Sequence, residues 1–289
     1  MTRWWRLWKT CDRDGDTHVA RFRPEANLRE NERATIEYAF FGKNDVLGKR
    51  LTMPRQSIAG HAIGIVTLET WYPLLPGNVA NATTFDFPVR YKILRQATVE
   101  RIMSADPALL DMIIQAGHEF EQEGVRAMVG ACGYFANYQR QVAAALSIPV
   151  FLSSLLQVPV ISRALKPEQR VGILVANAKA VGQEMLEACG ITSDIPIVYL
   201  GMEDQPEFRN ILEYGGQFHY DKLEAEVVES ARRLIAENPN VGAILLECSD
   251  LPPFARSVQR AVRLPVFDFI SMINWIYHGV VQRVYSGFF

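Results

Sequence analysis

Several common protein classes are excluded by what this 289-residue chain has little of. No apolar run approaches the roughly 18 to 20 residues that cross a bilayer, so no membrane partner is expected. The formal net charge is only −2, which provides no basic field for nucleic acid or an anionic lipid surface. No glycine-rich phosphate loop is present, since Gly215-Gly216 alone is too little. The five histidines (His18, His61, His118, His219 and His278) have no metal-ligand spacing with each other or with the cysteines. No metal site is therefore expected. The four cysteines make no disulfide framework, and the opening MTRWWRLWKT lacks the apolar stretch of an export signal. Free thiols in a cytoplasmic protein are the expectation.

What is there is an ordinary globular balance, 49% hydrophobic and 21% charged, together with an internal repeat. Val125 to Phe151 reads VRAMVGACGYFANYQRQVAAALSIPVF, and Val241 to Phe267 reads VGAILLECSDLPPFARSVQRAVRLPVF. Aligned without a gap, the two share Val125/Val241, Ala127/Ala243, Cys132/Cys248, Arg140/Arg256, Val142/Val258, Ala145/Ala261 and the closing Pro-Val-Phe. Each copy is an apolar run, a cysteine, an amphipathic segment and a short apolar run. This predicts strand, turn, helix and strand, with the cysteine at the carboxyl end of the first strand. Ligands of open α/β sheets bind at that end. Two facing copies would set two thiols across one cleft.

Along the chain, residues 1–55 form a polar extension with little apolar periodicity, and Met53 is a natural beginning for the α/β pattern. Asp12, Asp14 and Asp16 miss the calcium-loop pattern, because the glycine comes too early and Arg23 stands where a glutamate belongs. A first α/β lobe is expected over 56–166, a second over 167–268 and a C-terminal helix over 269–289. His61–Glu69 reads as a buried strand and leads into a long aromatic and amide-rich loop, Trp71–Tyr91, with Pro73, Pro76 and Pro88. Loops of this length are often functional, so a lid or binding loop is one expectation and a packed surface loop the other. Helical patterns continue over Ile93–Met103 and Pro107–Gln122, the latter with Asp106 as N-cap and Pro107 in the first turn. Further helices are predicted over Leu152–Leu165, Lys179–Ala188, Asp221–Glu237 and Phe269–Tyr285, with strands at Arg170–Asn177 and Ile197–Leu200. Alternating strands and helices give an α/β fold: two similar lobes, each with a parallel sheet flanked by helices, related by internal duplication.

A cysteine between a strand end and a helix start lies near unpaired backbone N–H groups that favour a thiolate and hold a carboxylate. One thiolate could remove a proton from the carbon next to a carboxylate while the opposite thiol supplies one. Cys132 and Cys248 are the candidate catalytic pair. Gly133, Tyr134, Ser249 and Asp250 flank them and are candidate substrate-binding residues, with Asn78 in the loop and Asn177 at a strand end. Cys11 and Cys189 have no counterpart in the repeat and read as structural. Arg140 and Arg256 read as solvent-facing or lobe-packing residues.

From about Ala59 to Tyr285, with GACGYFAN and LLECSDLPP at the two cysteines, the chain resembles the aspartate/glutamate racemase superfamily. The resemblance implies cofactor-independent chemistry next to a carboxylate, in two α/β lobes that each supply a cysteine. The superfamily also holds hydantoin racemases, maleate isomerases, one-cysteine arylmalonate decarboxylases and algal dimethylsulfoniopropionate lyases. Amino-acid racemases typically follow their cysteines with Asn-Thr and with Thr and Glu or His. Here Gly133-Tyr134 and Ser249-Asp250 stand in those places, and the loop PGNVANATTFDFPV looks more like the branch that includes the lyases.

The first expectation is an isomerase, a racemase or epimerase of a small carboxylate, assembled as a homo-oligomer. The alternative is a lyase in which one cysteine takes the α-proton and a β-substituent leaves. A third is a catalytically silent two-lobed binding protein.

Overall fold

The central strands of this chain are short, apolar and almost wholly buried, as expected when a parallel sheet is covered on both faces. The computed structural model describes residues 58–213 and 216–288. The polar extension, its Asp12–Asp16 segment and Cys11 lie outside the described residues.

The first sheet contains β1 (Ile63–Leu68), β2 (Val89–Leu94), β3 (Ala127–Gly130) and β4 (Val150–Phe151), in the order β2-β1-β3-β4. The second contains β5 (Arg170–Val175), β6 (Ile197–Gly201), β7 (Val241–Leu246) and β8 (Val266–Phe267), in the order β6-β5-β7-β8. Every pairing is parallel, and the two sheets have the same topology. The duplication visible in the cysteine segments thus extends to the whole strand order. In each sheet the order reverses between the two central strands, which opens a crevice beyond their carboxyl ends.

Helices cover both faces of the first sheet. Ile113 and Phe120, on α2 (Leu110–Gln122), belong to the core cluster that holds Val66, Leu68 and Met128. The opposite strand face, Ile63, Ile65, Ala127 and Val129, packs with Phe269, Met272, Ile273 and Ile276. Those four residues lie on α9 (Phe269–Val280), which comes after the last strand of the second sheet and returns to cover the first. Arg126 donates from its guanidinium to the Val280 carbonyl at 2.9 Å and so satisfies a free acceptor at the end of that helix. Phe87 stacks on Tyr277 with ring centroids 3.6 Å apart.

Between β2 and β3 the chain forms α1 (Val99–Met103), then a 3-10 turn at Pro107–Leu109 capped by the Asp106 side chain, then α2. A 3-10 turn, Gly133–Tyr138, and α3 (Gln139–Ala145) come after Cys132. A second turn, Ser154–Gln157, and α4 (Val158–Ala164) lead to β5. In the second half, α5 (Gln183–Ala188), α6 (Pro206–Leu212), α7 (Tyr220–Glu237) and α8 (Ala255–Val262) take up the connections.

Five sequence expectations need correction. The helix expected from Ile93 begins only at Val99, because Ile93 and Leu94 pair with Thr67 and Leu68 in the sheet. That strand also shortens the loop expected to run to Tyr91. The helix expected over Leu152–Leu165 starts later, since Ser153 caps a 3-10 turn there. The helix expected from Lys179 is split, with Asn177 capping the 3-10 turn Ala178–Ala180 before α5. The last helix stops at Val280 rather than Tyr285, where Arg126 takes its final carbonyl.

Gly64, in the middle of β1, marks a tight approach of sheet to helix, because a Cβ there would lie 2.8 Å from the Phe120 ring. Gly64→Ala should therefore destabilise the protein by overpacking, by about 1–3 kcal/mol in chemical denaturation. An unchanged midpoint would show that α2 gives way freely.

Candidate active site

The carboxyl ends of the central strands from both sheets converge on one cavity. Thr67, Leu68 and Thr70 line it from the end of β1, Ala131 to Tyr134 from the end of β3, Ala176 from beyond β5, and Glu247 to Asp250 from beyond β7. Tyr72, Leu74 and Asn78 add a wall from the loop, and Val99, Met103, Ile211 and Leu212 an apolar floor. The cavity is small, about 40 Å³. No Lys, Arg or His is among these lining residues.

Both expected cysteines are here. Cys132 is half-buried at the N-cap of the 3-10 turn, with extended backbone. Cys248 is buried, and its Sγ lies 3.5 Å from Asp250 Oδ2. Burial pushes both thiols upward in pKa. Asp250, then Glu247, add to the effect at Cys248, and Glu247 is the larger charge effect at Cys132. The backbone N–H of Tyr134 offsets part of the rise at Cys132.

Asp250 is the hub of the polar wall. It accepts from the Tyr72 hydroxyl at 3.0 Å, from the Asn78 amide and from the Cys248 thiol. Burial raises its carboxyl to about 6, against the lowering effect of those three donors. Tyr72 is held well above its ordinary pKa, first by burial and then by Asp250, and so remains a donor. Asn78 is itself fixed, because its Oδ1 accepts from Ala80 N at 2.7 Å and its carbonyl from Thr84 Oγ1 at 2.8 Å. Tyr91 binds the Val79 carbonyl, and a Cβ on Gly77 would strike Pro253 of the other lobe. The loop is thus a braced wall.

The remaining expected residues fall into two groups. Gly133 lines the cavity, and a Cβ there would collide with Glu247 Oε1, so the absence of a side chain makes room for the opposite lobe. Tyr134 and Ser249 also line it but direct their hydroxyls across the lobe boundary. Tyr134 donates to the Asn177 carbonyl at 2.6 Å and accepts from Asn177 N at 2.8 Å, while Ser249 donates to the Ala131 carbonyl at 3.0 Å. Asn177 itself is not a lining residue, since its side chain caps the turn at Lys179. Cys189 is buried at the end of α5, Arg140 donates to the Glu187 carbonyl, and Arg256 is exposed.

Two cavity residues carry no mark in the sequence that singles them out. Tyr72 sits in a loop with no periodicity. Glu247 is visible as a charged residue ending the apolar run VGAILLE, a position where the first copy has Ala131. It is fully buried, its Oε2 accepts only a 3.3 Å bond from Ala176 N, and its Oε1 has no partner. Burial raises its carboxyl to about 8. Among the described residues no group of three or more His, Cys, Asp or Glu could hold a metal ion, and no helix is long and apolar enough to cross a membrane.

Two parallel sheets of the same topology, each followed by a cysteine on one shared cavity, define a two-lobed α/β enzyme fold. Glutamate racemase RacE1 from Bacillus anthracis shares this fold with a TM-score of 0.50 at 13% identity, over 76% of this chain and 82% of that one. No family model matches the chain. Among curated proteins it is 30% identical over 233 residues to a dimethylsulfoniopropionate lyase of Durusdinium sp. clade D, covering 78% of this chain and 77% of that protein. It is also 30% identical over 228 residues to dimethylsulfoniopropionate lyase 3 of Emiliania huxleyi, covering 75% of this chain and 59% of that longer protein. The chain belongs to the dimethylsulfoniopropionate lyase family.

Burial of Glu247 has a consequence for stability. Its folded-state pKa of about 8 exceeds the ordinary 4.5, so folding favours its neutral form. This stabilisation is complete below 4.5 and is lost as pH rises through 8. Glu247→Gln cannot ionise, so its Tm advantage over the native protein should be larger at pH 8 than at pH 5. Parallel Tm profiles would show that Glu247 is ionised throughout.

Proposed function

We propose that this protein is a cofactor-independent lyase that removes a proton next to a carboxylate and expels a cationic β-substituent as a neutral molecule, with dimethylsulfoniopropionate as substrate. The observation that carries this is the composition of the cavity. It has two carboxyl groups and two tyrosines but no cationic side chain, so it suits a ligand that brings its own positive charge. The names of the relatives support the same chemistry.

Cys248 is the base in this account, because its side chain has a proton acceptor in Asp250. The substrate's sulfonium charge offsets the nearby Asp250 carboxylate and lowers the cost of a buried thiolate. Cys248 passes its proton to Asp250, and the thiolate then takes the α-proton. The Cα–Cβ double bond forms as the Cβ–S bond breaks, and its electron pair leaves with neutral dimethyl sulfide. Acrylate remains, and Asp250 returns one proton to solvent. A second reading is an isomerase that moves a proton between faces through Cys132 and Cys248. It is favoured by the presence of a thiol on each lobe.

Incubation in deuterated water, followed by proton NMR, separates the two. Vinyl signals and dimethyl sulfide are expected from dimethylsulfoniopropionate, with negligible deuterium exchange into aspartate or glutamate. Rapid racemisation of either amino acid, with no alkene from the sulfonium acid, would overturn the lyase reading.

Cys248→Ser should lower kcat by about 10²–10⁴-fold, as expected for loss of a general base, and Cys132→Ser by less. Activity should also fall as pH drops below about 6, where Asp250 gains a proton and can no longer accept one. Near-native turnover by Cys248→Ser would exclude it as the base.

A further inference from the structure

The proposed substrate carries a carboxylate, yet the cavity has no lysine, arginine or histidine to hold it. Glu247 lines that cavity beside Cys248 and reaches toward Gly133 on the first-lobe segment. Its Oε2 is occupied as acceptor of the Ala176 N–H, while its fully buried Oε1 lies against Gly133 with no hydrogen-bond partner. We infer that Glu247 is a neutral carboxylic acid whose Oε1–H donates to the substrate carboxylate, making it the residue that positions the anionic end. The inference rests on the lyase reading for the identity of the substrate.

Three observations support it. With Oε2 accepting from backbone, the acid proton belongs on Oε1, the atom left without a partner. The repeat has Ala131 at the matching position of the first lobe, so the acid is present on one side of the cleft only. The surroundings also hold Glu247 neutral at pH 7, its carboxyl being raised by burial to about 8. The titratable groups facing it are Cys132 and Tyr134 on the first-lobe turn, Cys248 on its own segment and Cys189 at the end of α5. Asp250 lines the same cavity and is raised only to about 6, so near pH 7 one carboxyl is ionised and the other is not. Two carboxyl groups pushed apart in this way take different roles.

The test uses binding of 3-(trimethylammonio)propanoate, a cationic carboxylate with a poor leaving group, measured by titration calorimetry. Its methyl ester is the control. Native protein should bind the acid at least about tenfold more tightly than the ester, the scale of a hydrogen bond to a charged group. Affinity should weaken as pH rises above about 8, when Glu247 ionises and repels the carboxylate. Glu247→Gln keeps a neutral donor, so it should bind within about threefold of native at pH 7 and lose that pH limb. Glu247→Met should lose about tenfold or more in affinity. If the methionine variant does not fold, the ester comparison and the glutamine pH profile carry the test. Equal affinity for acid and ester, or a glutamine variant that retains the alkaline limb, would overturn the assignment. Intact binding with no lyase turnover would remove the lyase reading and leave this carboxylate site standing.

Discussion

The site depends on hydrogen bonds that cross between the two lobes at the residues beside the cysteines. Tyr134 reaches from the first lobe to both backbone groups of Asn177, and Ser249 reaches back from the second to Ala131. Ser154 adds contacts to the carbonyls of Leu246 and Glu247. All of these bonds are buried or partly buried, where an unmade bond costs more than it would in water. The side chains flanking the cysteines therefore hold two strand ends face to face as well as lining a cavity.

The repeat is symmetric in strand order but asymmetric in charge. The first copy presents Ala131, Cys132, Gly133 and Tyr134, and the second presents Glu247, Cys248, Ser249 and Asp250. Both carboxyl groups thus come from the second lobe, while Gly133 gives up its side chain to accommodate one of them. A protein acting equally on both faces of a carbon has no evident need for such imbalance. An elimination, which takes one proton and releases one leaving group, needs only one equipped face.

Much of this was legible in the sequence, for physical reasons that can be named. The duplication announced the two sheets because an apolar run followed by an amphipathic segment has few other solutions. The cysteines stood out because strand ends are where such folds place ligands, and their flanking residues came with them. Tyr72 was hidden because a loop has no period, and its role depends on Asp250, 178 residues away in sequence. Glu247 was hidden because nothing local shows that a glutamate at a strand end is wholly enclosed. Asn177 was placed at the right strand end, but side-chain direction there is set by capping, which strand periodicity does not reveal. The end of strand β2 reads as the start of a helix, because Ile93 and Leu94 fit either period until a partner strand decides.

The return of α9 to the first sheet orders events during synthesis. Chains emerge from the ribosome amino end first, and domains generally fold in that order. Here one face of the earliest sheet, with Ile63, Ile65, Ala127 and Val129, waits for a helix made after the last strand of the second. Through the translation of more than a hundred intervening residues that face stays uncovered by its eventual partner. The core of the first lobe can therefore close only after the last helix has left the ribosome, even though each lobe has its own sheet.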